Sequence, residues 1–370
     1  MFHRATGIGS FPHHRSGDAL KIIKNNLQYI PHWPQLPRKN PEEGFVRQYL
    51  SPLINAEIIK IDNNSRTPFF CSGDKGWEEN VLSYFEMMLQ WEEDEKALTG
   101  KDLSKDEIFF AREDRAGDNP FAFPVDTAEG FYDFLGMEWD NSNAEYLKGQ
   151  ISGPVTVGFQ VNSEDGKPAF YDDQLREILV KTLACQAGWQ IRRLALCGKP
   201  VIIFIDDPSV YGFGTSGYVG LGREAIQKSI GEIAEVIKSF GGIAGVHCCA
   251  GADWSILLES PVDIVNFDAY DFFGSMTVYS KELSAFYERG GSLAWGIVPT
   301  SHAVNDEDVS SLLNKLSDGI SDLVRRGVNE AHLKERLLIT PSCGAATLSE
   351  NETERVYNLL KELEARLGDL

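Results

Sequence analysis

Cysteine is scarce: six residues in a chain of 370. That is too few to staple a domain of this size, so the thiols are left for burial, metal binding or catalysis in a reducing compartment. Dense basic runs are missing as well. Lys and Arg number 35 against 55 Asp and Glu, a formal charge of −20, which excludes nucleic acid and anionic membrane surfaces as expected partners. No apolar run approaches the roughly 20 residues of a membrane helix. The opening MFHRATGIGSF lacks the charged-then-apolar layout of a signal peptide, so a cytoplasmic protein is expected. No G-x-G-x-x-G follows a candidate strand, and dinucleotide binding has no positive support.

What is present is a large apolar fraction, 42%, enough for a substantial core. From about residue 147 onward, short apolar runs alternate with longer segments of helical period, the mark of repeated βα units around a parallel sheet. The candidate strands are LKGQISG (147–153), VIIFID (201–206), IAGVHC (243–248), DIVNFDA (263–269), LAWGIV (293–298) and LLITPS (337–342). TGIGSFP (6–12) supplies a first strand, and an eighth is expected within 50–112, where AEIIKID (56–62) and IFFAR (108–112) both qualify. That number suits an α/β (β/α)8 TIM barrel forming one catalytic domain over 1–370, with a doubly wound sheet as the alternative.

Between the strands, Ile226, Ile230, Ile233, Ile237 and Phe240 recur at helical steps, as do Leu312, Leu316, Ile320 and Leu323. Both stripes predict packing against the barrel. A last helix opens with Ser349 and Glu352 in capping-box spacing and carries Val356, Leu359, Leu363 and Leu367 on one face. Residues 13–146 break the rhythm with the Pro-rich IPHWPQLPRKNP and the acidic MMLQWEEDEKAL. They read as an insertion decorating the catalytic face, either a stabilising flap or a substrate lid.

In a parallel barrel the C-terminal strand ends converge on one face. The residues at those ends are Ser10, Asp206 and Asp207, His247 with Cys248 and Cys249, Asp268, Thr300 to His302, and Cys343. A histidine, cysteines and a carboxylate at successive ends make a ligand set for zinc. In extended backbone His247 and Cys249 point to one side and Cys248 to the other, which makes Cys248 a core thiol. Cys343, before a glycine turn, joins the pair from a distant strand end, and Asp268 offers a fourth, oxygen ligand. Ligands drawn from three separate strand ends, one of them a displaceable carboxylate, suit a catalytic zinc that takes up a substrate thiol.

The ordered set IGSFP, SGPVT, IDDP, HCC, VDIVNFD and PSCG resembles the catalytic C-terminal barrel of cobalamin-independent methionine synthase, within the group that includes uroporphyrinogen decarboxylase and corrinoid-linked methyltransferases. The resemblance spans nearly all of the barrel. It implies Zn2+ held by His247, Cys249 and Cys343, with Asp268 where the family usually has glutamate. It also implies homocysteine bound through Ser10, the Ile8 backbone and Asp206, with Glu78 and Glu79 of GWEEN in the region of the family's acidic grip. His302 falls one position from a histidine the family uses in proton transfer.

Three departures shape the expectation. The family's second, N-terminal barrel has no counterpart in this sequence. The tryptophan that follows SGPVT in folate enzymes is replaced near Phe159 and Gln160, and the acidic GE motif is not clean. A methylated corrinoid, free or on a partner protein, is therefore the expected methyl donor rather than folate, and it comes from outside because no D-x-H-x-x-G signature is present. The alternatives are a corrinoid-linked methyltransferase for another thiol such as coenzyme M, and a non-catalytic zinc-stabilised binding protein.

Overall fold

The computed structural model describes residues 3–98, 119–139 and 142–370. Its strands are β1 (Arg4–Ala5), β2 (Ile59–Ile61), β3 (Pro68–Phe70), β4 (Leu147–Ser152), β5 (Val201–Asp206), β6 (Ile243–Cys248), β7 (Ile264–Phe267), β8 (Ser292–Val298) and β9 (Leu337–Pro341). Seven of them form one sheet in the order β1-β9-β8-β7-β6-β5-β4, every pair parallel. The first strand thus pairs with the last, as closure of a (β/α)8 barrel requires.

The barrel is closed by a segment the apolar pattern does not reveal. Of the two expected eighth strands, AEIIKID contributes β2, but β2 pairs antiparallel with β3 outside the barrel; IFFAR lies outside the described residues. The gap between β1 and β4 is filled instead by residues 31–35. Lys148 N donates to Pro31 O (2.9 Å) and Trp33 N to Lys148 O (3.3 Å) on one side. On the other, Gln35 N donates to Gly9 O (3.1 Å) and Phe11 N to Gln35 O (2.8 Å). Pro31 and Pro34 have no N–H to give, so this run makes only part of a ladder and reads as a loop in sequence.

Helices cover the outside. Ile226, Ile230, Ile233 and Ile237 are all fully buried on the helix Arg223–Ser239, while Phe240 caps its end and stacks on Trp91. Leu312, Leu316, Ile320 and Leu323 are buried on Val309–Arg325, and Ser349 and Glu352 form the expected capping box of Glu350–Glu364. The acidic run MMLQWEEDEKAL is the second half of the helix Trp77–Leu98.

Inside the barrel, Ile30, Ile202, Phe204, Ile264, Ala294 and Leu338 form a separate apolar floor. Gly245 is required there, because a Cβ on it would stand 2.3 Å from the Phe204 ring. Lys148 also points inward, buried, with Nζ donating to Ile8 O at 2.9 Å and lying 4.4 Å from the Phe204 ring centroid. Above this layer the register sets Asp206 beside His247 and His247 beside Asn266. Three polar side chains therefore rise from adjacent strands on the interior face.

Candidate metal centre

His247 is buried and its ring is held from one side. Its Nδ1 lies against Asn266 Oδ1, and Asn266 Nδ2 donates to Ala294 O (2.8 Å) and Thr340 Oγ1 (2.7 Å). Those two acceptors commit the Asn266 amide nitrogen, so its oxygen faces the ring and the ring proton sits on Nδ1. Nε2 is left unprotonated, with its lone pair free to accept a hydrogen bond or ligate a cation. It is buried and has no hydrogen-bond partner, a state that normally costs 1–3 kcal/mol or so unless something else binds the atom.

The atoms that approach it are sulfurs. One ligand atom each from His247, Cys249 and Cys343 lies within 4.8 Å of the others. Around a tetrahedral ion at about 2.0–2.3 Å such atoms stand roughly 3.5 Å apart, so only a small contraction separates this arrangement from coordination. The hydrogen bond from Cys343, together with His247, holds the Cys249 thiol well below the usual range. Cys343 is pushed up by that same hydrogen bond and by burial. Burial pulls His247 down, but the neighbouring Cys249 sulfur and the charge of Asp206 carry it up overall. A histidine nitrogen and two sulfurs, one of them favoured as thiolate, are a donor set that fits a thiolate-binding cation.

Asp268 is not among the converging atoms. It sits at the end of β7, where its Oδ1 accepts from Tyr270 N (3.0 Å) and Asp271 N (2.9 Å) and so braces the turn. Burial raises its carboxyl to about 6, with Asp271 and Cys249 adding to the rise. Cys248 is the core thiol expected of it, fully buried with Sγ directed at Pro208 O and Ala250 O.

The three ligands open into a cavity of about 300 Å³ that Ile8, Ser10 and Asp206 also line. Ser10 reaches it from the β1 side past Gly344, where a Cβ would lie 2.1 Å from Ser10 Oγ; IGSFP and PSCG are thus neighbours across the barrel seam. Asp206 is buried, and its Oδ1 has no partner. Burial raises its carboxyl to about 6 against the opposing charges of Lys148 and His247. The adjacent Asp207 does the structural work of IDDP: it accepts from Val155 N (2.9 Å), Thr156 N (2.8 Å) and Thr156 Oγ1 (2.6 Å), which ties IDDP to SGPVT.

The structure places three expected residues elsewhere. His302 is 91% exposed in its side chain and pairs with Glu352 Oε1 at 2.6 Å, because the loop after β8 turns outward into a short helical turn, His302–Asn305. Glu78 and Glu79 are exposed in the first turn of Trp77–Leu98. None of the three lines the cavity. In their stead the wall is completed by Gln35 and Pro37, from the Pro-rich run whose role the sequence left open, and by Phe45 just after it. Phe159, where folate enzymes have their tryptophan, packs into an aromatic group with Phe170, Tyr171 and Tyr218.

No family model matches the chain, and no curated protein matches it. Among solved structures, it is similar to a GH5-4 broad specificity endoglucanase from Clostridium longisporum (10% identity, 71% of this chain and 88% of that one, TM-score 0.36). It is also similar to dihydropteroate synthase from Thermus thermophilus (12% identity, 72% and 89%, TM-score 0.23). At this level the likeness bears on neither substrate nor chemistry. No helix among the described residues is long and apolar enough to cross a membrane.

Proposed function

We propose that the protein is a zinc-dependent S-methyltransferase that moves a methyl group to the thiol of homocysteine, giving methionine. The observation that carries this reading is the meeting of His247, Cys249 and Cys343 at a cavity whose other polar wall is Asp206 with an unpartnered oxygen. One histidine and two cysteines from two strand ends, with no fourth His, Cys, Asp or Glu in the group among the described residues, are the donor set of a zinc with an open position. Bound there, zinc supplies a centre that lowers the pKa of a coordinating thiol.

The chain's own residues do the rest. Asp206 receives the α-ammonium, with its partnerless Oδ1 as acceptor. The Ser10 hydroxyl and the Ile8 backbone face the α-carboxylate. Asn266 keeps the His247 proton on Nδ1. The acceptor sulfur, as thiolate, displaces the donor's leaving group in line at the methyl carbon, and the thiol proton leaves to solvent through the open side of the cavity. Asp206 also argues for an amino-acid thiol over coenzyme M, whose sulfonate has no ammonium to offer a buried carboxylate.

Supporting a corrinoid donor over folate, the position near Phe159 is occupied by packed phenyl and phenol rings rather than a free indole. The test offers methylcobalamin and methyltetrahydrofolate in parallel with homocysteine and assays methionine and bound zinc. Wild-type protein should carry about one zinc and use the corrinoid; Cys249→Ser and Cys343→Ser should lose both metal and product. Full zinc content and turnover in either variant would overturn the assignment.

A further inference from the structure

The cavity beside the metal ligands is walled on one side by residues that do not belong to the barrel. Pro37 follows the barrel-closing segment 31–35, Phe45 lies between the short helical turns Pro41–Glu43 and Arg47–Tyr49, and both line the same space as Asp206 and Cys343. The run that carries them is fastened at several points. The Ser152 hydroxyl, at the end of β4, donates to Phe45 O. Leu36 N donates to Glu43 Oε1 at 2.8 Å, which closes the loop on itself around a fully buried carboxyl. Gln35 Nε2 donates to Gln48 Oε1 at 2.6 Å, and Asn40 Nδ2 to Asp126 O at 2.8 Å. Anchors at both ends and in the middle make it a fixed roof.

Size then decides what fits beneath it. The cavity measures about 300 Å³, the lower end of the range for small-molecule sites. At organic-crystal packing density, the eight non-hydrogen atoms of homocysteine take roughly 150 Å³ and the twenty of a tripeptide thiol such as glutathione roughly 400 Å³. The first fits with room for an incoming methyl group. The second cannot lie wholly within it and must run out past the wall at Pro37 and Phe45, even though its γ-glutamyl end carries the same free ammonium and carboxylate that Asp206 and Ser10 would recognise. Charge alone therefore cannot separate the two thiols, and the roof can.

We propose that Phe45 is a specificity-determining residue: it lines the cavity beside the metal ligands, its backbone carbonyl is fixed by the Ser152 hydroxyl, and its ring favours small acceptor thiols over peptide thiols. The inference rests on the reading of the site as a thiol-binding zinc centre, and it adds which thiols are refused and by what.

The test measures equilibrium binding of 2-mercaptoethanesulfonate, homocysteine and glutathione to the zinc-loaded protein, with zinc content and circular dichroism recorded for each variant. In wild type a small thiol should bind at least 100-fold more tightly than glutathione. In Phe45→Ala that ratio should fall about tenfold or more with zinc retained. Phe45→Leu should restore most of the discrimination, and Ser152→Ala, which frees the roof without removing the ring, should fall between. Equal binding of glutathione and small thiols in wild type, or an unchanged ratio in folded, zinc-loaded Phe45→Ala and Ser152→Ala, overturns the proposal. If the sulfonate thiol binds, homocysteine does not, and Phe45→Ala admits glutathione, the roof stands and the homocysteine reading falls.

Discussion

The orientation of a single imidazole determines whether this site can hold a metal, and one buried amide sets that orientation. Asn266 is fully buried, with both amide hydrogens directed at Ala294 O and Thr340 Oγ1 and its oxygen at His247 Nδ1. Asn266→Ala removes the acceptor without adding bulk, so the ring loses its tautomer and its fixed angle. Zinc affinity should fall 10- to 100-fold, read by competition with a chromophoric chelator, while far-UV circular dichroism stays unchanged. An unaltered affinity would mean that backbone alone aims the ring. In sequence Asn266 is visible only as a polar residue in the apolar run DIVNFDA. Its function depends on cross-strand register, which pairs it with His247, and no local pattern encodes that pairing. His247, Cys249 and Cys343 were legible because their chemistry is conspicuous at strand ends. His302 misled for the converse reason: a residue one step along a loop can turn out of the site, as this one does to meet Glu352.

Among the elements, the run from Pro31 to Phe45 departs furthest from what its sequence suggests. Alternation and apolar runs made the parallel strands β4 to β9 legible, since a strand buried on both faces announces itself by composition. The segment closing the barrel carries prolines and bonds through scattered donors, so it resembles a loop although it occupies a strand's place. The roof that continues from it holds Glu43, whose carboxyl burial pushes up to about 7 from 4.5, against the Leu36 N–H bond and Lys39. The sign follows from linkage. Below pH 4.5 the group is neutral in folded and unfolded chains alike; as pH rises through 4.5 toward 7 the unfolded chain releases its proton first, and stability falls, by about 3 kcal/mol at most. Glu43→Gln keeps an oxygen for Leu36 N and removes the titration. Urea denaturation at pH 5 and pH 8 should show the variant gaining on wild type as pH rises; a constant difference between them would place Glu43 in a solvated setting in the folded protein.

For the molecule as a whole, the ligands matter because of where they stand in the chain. His247 and Cys249 belong to the end of β6 and Cys343 to the turn after β9, and β9 pairs with β1 across the seam beside the irregular segment 31–35. An ion that joins β6 to β9 spans the part of the barrel where the β1 pairing is only two residues long. Metal binds the folded arrangement and gains little from an unfolded chain in which Cys343 lies about a hundred residues from the His247–Cys249 pair, so occupancy adds directly to stability. At free zinc 100-fold above its dissociation constant the gain is about 2.7 kcal/mol, which for 370 residues raises the melting temperature by roughly 3–4 °C. The rise should grow with zinc concentration and vanish in Cys343→Ser, where the span from β6 to β9 is cut. Differential scanning calorimetry of metal-stripped and zinc-loaded protein makes the comparison. Equal melting temperatures for wild type with and without zinc would show that the three residues do not act on a common ion, and the proposed chemistry would go with them.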